Sequence, residues 1–120
     1  MWIATENGFY SIVKNNFSDQ KENELIVRAR KKEDLANVFE ATRIETSTQK
    51  DYAYRVFASR KEVEALLVTT ITHLDYGNFK DHIKSLPSQK DKVPFYSEIW
   101  SIMNEYQGRF IKGLYNFTRK

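Results

Sequence analysis

Seven basic residues stand around two places where a strand pattern gives way to a helix pattern. In 27–35, read VRARKKEDL, Arg28, Arg30, Lys31 and Lys32 precede the first helical turn. In 56–67, read VFASRKEVEALL, Arg60 and Lys61 do the same, with Arg55 just upstream. A helix start exposes N–H groups that lack partners and carries partial positive charge, so it already suits an anion. Cations there deepen the potential, and arginine forks match phosphate oxygens two at a time. The chemistry this pattern points to is capture of an anionic ligand, such as nucleic acid, by phosphate contacts. Two halves lying side by side would place all seven cations around one end of a sheet. The opposing reading is local: Glu33, Asp34, Glu62 and Glu64 follow at once and offset the charge, while Arg28 and Arg30 guard an edge strand.

Other residue types offer further chemistry. Tyr52 and Tyr54 share a strand face by alternation, beside Arg55 on the other, and tyrosines on an open sheet face stack on bases. Covered by helices, the same rings are core with satisfied hydroxyls. Tyr76, Lys80 and His82 supply an acid, a base or an anion clamp for a small cleft, or else a helix corner pinned by Tyr76 and Phe79. His73 and His82 are nine residues apart, which matches no metal-ligand spacing, and no further ligands stand nearby in sequence. The sequence carries no P-loop, dinucleotide fingerprint or nucleophile elbow, so no cofactor and no metal are expected.

These residues sit on a chain of 120 residues, the size of one domain with one core. It has no cysteine, which excludes disulfides and thiol chemistry. No apolar run reaches membrane-spanning length and the start lacks a signal-peptide pattern, so a cytoplasmic protein without membrane contact is expected. The net charge is +3, with ten basic against nine acidic residues in 1–60 and nine against seven in 61–120. Neither half is a basic arm, so an anion site has to come from local arrangement.

The elements that must position the candidates follow from pattern. Asn7-Gly8 between two alternating stretches predicts a hairpin with a type I′ turn, pairing Glu6 with Phe9, Ala4 with Ser11 and Trp2 with Val13. Residues 15–24 read as a polar loop. A strand over Leu25–Arg30 leads to a helix over 32–41, with Leu35, Val38 and Phe39 on its buried stripe. A short strand near Arg43–Thr46 and a firmer one over Tyr52–Ala58 complete the second half. Ser59 and Glu62 form a capping box. The helix they open puts Val63, Leu66, Leu67, Thr70, Ile71 and Leu74 on one stripe. Gly77 suits a C-cap, Asn78 an N-cap, and Pro94 the first turn of a helix through Tyr106.

The predicted fold is therefore α+β: a two-layer sandwich with a mostly antiparallel sheet of four or five strands, from two ββα-like halves (1–41 and 43–74). Added helices complete a domain over 1–107, and a basic aromatic tail spans 108–120. The helix from Pro94 carries Phe95, Tyr96, Ile99, Trp100 and Met103, an apolar face wide enough to meet a protein partner or a second copy.

Three pieces carry a resemblance: the start W-x-A-T-x-x-G-F-x-S-I-V over Trp2–Val13; Val27–Arg30 with Asp34-Leu35; and D-Y-x-N-F-K over Asp75–Lys80. Together they resemble a group of small bacterial proteins to which no activity is attached, over roughly residues 1–100, with Tyr96 and Trp100 fitting. No ligand or activity follows from that likeness. The residues themselves rank an anion-binding module first, a protein-interaction module (inhibitor or assembly factor) second, and a metal-independent nuclease-like enzyme third.

Overall fold

A computed structural model describes residues 1–16, 23–111, with the remaining positions outside the description. The part of the expected loop over 17–22 and the part of the tail over 112–120 lie outside the described residues. The chain divides into two compact units, Met1–Gly77 and Asn78–Lys120.

The first unit is a five-stranded sheet with two helices on one face. Strands β1 (Trp2–Thr5), β2 (Gly8–Lys14) and β3 (Glu24–Ala29) lead to helix α1 (Lys32–Ala36), and β4 (Glu45–Thr46) and β5 (Tyr54–Ser59) to α2 (Arg60–Thr72). The sheet order is β1-β2-β3-β5-β4, and every neighbouring pair is antiparallel. The α+β sandwich is thus as expected, with each half giving strands and then a helix. Alternation sets the inner face: Ile12, Leu25, Val27, Ala29, Val56 and Ala58 meet Leu35 and Phe39 from the α1 region and Val63 from α2.

Two local expectations fail for identifiable reasons. The hairpin turn is Glu6-Asn7, not Asn7-Gly8: Thr5 lies opposite Gly8 and Trp2 opposite Ser11. The pairing is displaced by two residues, which leaves the faces as expected because the side-chain period is two. Among the described residues none has positive φ, so this hairpin has no type I′ turn. Thr5 holds the turn, its Oγ1 donating to Gly8 O (3.2 Å) and accepting from Asn7 N–H (3.1 Å). Gly8 answers to tertiary packing instead. A Cβ there would lie 2.5 Å from Asp34 Cβ. Asp34 is 1% exposed; its Oδ2 accepts from Phe9 N–H (3.2 Å), and its carbonyl accepts from the Tyr10 hydroxyl (2.6 Å). That close approach clamps α1 onto the hairpin.

The second departure concerns helix lengths. Helix α1 is a little over one turn, ending at Ala36 rather than near 41, although Leu35 and Phe39 are buried as expected. Asn37, whose Nδ2 donates to Asn7 O (2.8 Å), ties the turn beyond it to the hairpin. Helix α2 has the expected cap, Ser59 Oγ accepting from Glu62 N–H (3.1 Å). Its stripe is buried only over the early turns, since Ile71 and Leu74 are exposed. It ends with His73 as the cap residue, so Gly77 does not serve there.

One ion pair ties α2 to the segment before β4. Arg43 grips both carboxylate oxygens of Glu62, donates to Phe57 O (2.9 Å) and lies 5.2 Å from the centre of the Phe39 ring. Glu62 is held below the usual glutamate range first by that hydrogen bond, with added attraction from Arg43 and the Ser59 backbone N–H outweighing its burial.

The second unit contains α3 (Phe79–Lys84) and α4 (Val93–Gly108). Asn78 caps α3 as expected, its Oδ1 accepting from Asp81 N–H (3.0 Å), and Pro94 sits in the first turn of α4. Among the described residues no helix is long and apolar enough to cross a membrane.

Two stability measurements check these contacts. Gly8→Ala should cost about 2 kcal/mol by overpacking against Asp34, read as a lower urea midpoint with the fold retained; an unchanged midpoint would show that Asp34 moves aside freely. Glu62→Gln should cost about 1 kcal/mol at neutral pH, a modest figure because both partners are more than a third exposed. Because the folded pKa is lowered, this contribution is complete above the ordinary glutamate value of about 4.3 and fades as pH falls through the lower folded value. Urea midpoints of the two proteins should therefore converge in acid.

Candidate functional site

The outer face of the sheet, opposite the helices, gathers the groups with unmet hydrogen-bonding capacity. Strand pairing sets Ser11 beside Arg28, Arg28 beside Arg55 and Arg55 beside Glu45, one lateral row across β2, β3, β5 and β4. Neighbouring strands are about 4.8 Å apart, so the row spans roughly 15 Å. The next row on this face, Val13, Ile26 and Phe57, is apolar.

Arg28 and Arg55 are like charges directly opposed, an arrangement that costs stability. Neither pairs with a carboxylate among the described residues. Arg28 Nη2 donates to Ser11 Oγ (2.6 Å) and Arg55 Nη2 to Tyr52 O (3.0 Å). The Nε–H groups of both are buried without a partner. Arg55 is only 9% exposed. A buried, unpaired guanidinium is expensive unless something else compensates it.

A strap over residues 47–53 curls onto this face and shapes the space above the row. Ser47 N–H donates to Ala53 O (2.8 Å), closing the strap. Arg30 Nη1 donates to Asp51 O (2.8 Å). The Arg28 and Arg30 guanidinium carbons lie 4.7 and 4.2 Å from the centre of the Tyr52 ring. Two cavities result. One, about 530 Å³, is walled by Lys14, Arg28, Lys50 and Arg55, with Asp51, Tyr52 and the apolar Val13 and Ile26. The other, about 330 Å³, is walled by Asn15, Glu45, Thr46, Ser47 and Phe57. Lys50 and Arg55 border both. Spaces of this size suit a small ligand or one unit of a polymer.

Of the seven cations singled out in the sequence, the fold unites three. Arg28 and Arg55 form the centre, and Arg30 braces the strap. The other four do not join them. Because β3 and β5 are antiparallel, with Glu24 opposite Ser59 and Ala29 opposite Tyr54, the two helix starts lie at opposite ends of the sheet. Lys31 and Lys32 stand at one end, Arg60 and Lys61 at the other, and no ring of seven forms. Each helix start is also locally provided for. Lys31 lies 4.0 Å from Glu33, and α1 has five residues, too few aligned peptides for a strong dipole. At α2 the Ser59 cap and the Arg43–Glu62 pair serve the first turn.

Sequence reasoning missed Lys50, Lys14 and Glu45. Lys50 sits in a polar turn that looks like ordinary surface, and only the strap's fold brings it over Arg55. The two tyrosines also separate. Tyr54 packs against the core, as the helix-covered reading holds. Bends over 51–53 break the alternation and send Tyr52 to the outer face, where it is 5% exposed. With guanidinium groups over its ring, Tyr52 is a wall and not a free stacking platform.

The remaining candidates are placed separately. Tyr76 belongs to the first unit, where burial chiefly, and Glu6 secondarily, raise its pKa. Lys80 and His82 belong to α3; Lys80 Nζ lies 5.3 Å from the centre of the Trp100 ring. Among the described residues no three His, Cys, Asp or Glu side chains gather as a metal site. On α4, Phe95, Ile99, Trp100 and Met103 are exposed as a docking face requires. Tyr96 is not part of that face: it is buried, its ring 5.2 Å from that of Phe79. Ile102 and Tyr106 take its place, giving an exposed stripe Phe95, Ile99, Ile102, Tyr106 with helix-pairing spacing.

Comparisons with protein-family models, with curated proteins and with solved structures give no match.

Proposed function

We propose that this protein is a binding module for an anionic ligand, held through a phosphate group at the Arg28–Arg55 pair. One observation carries the reading: two opposed arginines, one of them nine-tenths buried, line a cavity on the outer sheet face with their Nε–H groups unpartnered and neither in an ion pair with a described carboxylate, although Glu45 stands across from Arg55 and Asp51 lines the same cavity. A phosphate would turn the mutual repulsion of the pair into shared attraction, and Lys14 and Lys50 add charge at the rim. Affinity would come from charge more than from base identity, so nucleic acid is the natural ligand to test.

A second reading rests on α4. Its Phe95, Ile99, Ile102 and Tyr106 side chains are 47–66% exposed. Exposed apolar stripes of this extent mark protein contacts. This surface fits a helical partner or a second copy of the chain.

Two experiments address these readings. Fluorescence anisotropy of labelled single-stranded RNA and DNA oligomers should show binding at low salt that weakens at physiological salt. Arg28→Glu with Lys50→Glu should weaken it by about tenfold or more, whereas Lys32→Glu with Lys61→Glu, at the sheet ends, should change it about twofold at most. Equal losses in the two pairs would return the site to the helix starts. For α4, Ile99→Glu with Ile102→Glu should leave the melting temperature close to wild type and abolish any self-association seen by light scattering. A wild type that is monomeric at every concentration would remove the second copy as occupant.

A further inference from the structure

The two cavities flanking Arg55 differ in chemistry, and that difference bears on the rest of the ligand. The larger lobe opposes four cations, Lys14, Arg28, Lys50 and Arg55, to Asp51. The smaller lobe shares Lys50 and Arg55 but is lined also by Glu45, Thr46, Ser47 and Phe57. Glu45 stands directly across from Arg55 in the strand register, yet the two form no ion pair; the Arg55 guanidinium turns to Tyr52 O. Glu45 is therefore left as an acceptor facing the lobe.

Resting on the anion-binding reading above, we infer that the site takes a nucleoside phosphate, with phosphate between Arg28 and Arg55 and the nucleoside in the lobe of Glu45 and Phe57. A second anionic group in that lobe would be repelled by Glu45, so the ligand has one charged end. A half placed there has to donate hydrogen bonds, as ribose hydroxyls and base amino groups do, while Phe57 offers an apolar wall for a flat ring. Lys50 and Arg55 border both cavities, so the bond joining phosphate to sugar would lie beside them. The same chemistry is presented by a free mononucleotide and by a unit of a single-stranded nucleic acid.

Isothermal titration calorimetry separates the claims. The probes are inorganic phosphate, adenosine and uridine 5′-monophosphates, adenosine, and a single-stranded RNA oligomer. The nucleotides should bind about tenfold tighter than phosphate or more, with adenosine alone far weaker. Glu45→Ala, at an exposed position on a two-residue edge strand, should erase most of the nucleotide advantage while leaving phosphate affinity the same or higher. Arg28→Gln should weaken phosphate and nucleotide alike; if that variant does not fold, Lys50→Ala, at an exposed position on the strap, replaces it. Phosphate bound as tightly as nucleotide, or nucleotide affinity unmoved by Glu45→Ala, would overturn the nucleoside assignment and leave the anion site standing. No binding of phosphate, nucleotide or RNA would overturn both. Tighter binding of the oligomer with a steep salt dependence, or equal binding of the mononucleotide, supports the assignment and tells which source supplies the ligand.

Discussion

The antiparallel register between β3 and β5 decides most of what this molecule presents to its surroundings. Pairing Val27 with Val56 sends both into the core, and by the same alternation pairs Arg28 with Arg55 on the outer face. A slip of one residue would exchange the two sets, placing guanidinium groups under the helices and valines in the groove. The core tolerates no such exchange, because Val27 and Val56 have no exposed surface at all. Burial of apolar residues on one face therefore enforces the juxtaposition of like charges on the other. The repulsion is tolerated, since each buried valine is worth about 1.5 to 3 kcal/mol against a few tenths to 1 kcal/mol for an unfavourable cross-strand pair.

Much of the first unit was readable from pattern. Alternation placed Ile3, Tyr10 and Ile12 on one face and Trp2 and Ser11 on the other, and the Ser59–Glu62 cap announced α2. What could not be read depends on distant partners. Gly8 resembles a turn glycine because Asn-Gly so often serves that purpose, whereas its actual constraint is Asp34, 26 residues away in sequence and 2.5 Å from where its Cβ would be. The α1 stripe was right in composition and wrong in length, because the contacts of Leu35 and Phe39 do not require a continuous helix between them.

The candidate site was legible in its residue types and not in its place. Arg28 and Arg55 each stand near a helix start in the sequence, and uniting them through those starts needs the two halves side by side with both starts at one end of the sheet. Antiparallel pairing of β3 and β5 removes that geometry and supplies another, since it sets Arg28, next to last in β3, opposite Arg55, second in β5. Lys50 and Glu45 gave no signal because a polar turn and a two-residue edge strand look like surface. Their meaning comes from the strap that folds over the row, which no periodicity encodes.

The arginines of the first unit differ in how fully the protein itself engages them. Arg43 has a carboxylate, a backbone carbonyl and an aromatic ring, so its charge and several of its donors are engaged within the protein. Arg30 donates to the strap and lies over Tyr52. Arg28 and Arg55 have one hydrogen bond each, no ion pair with a described carboxylate, and a sealed Nε–H, while Arg28 also lies over the Tyr52 ring. A guanidinium carries five donors in a fixed fork and cannot lose its charge at any ordinary pH. The pair on the outer face is held in position by Ser11 and the Tyr52 carbonyl, each fixing one nitrogen, and neither guanidinium forms an ion pair with a described carboxylate.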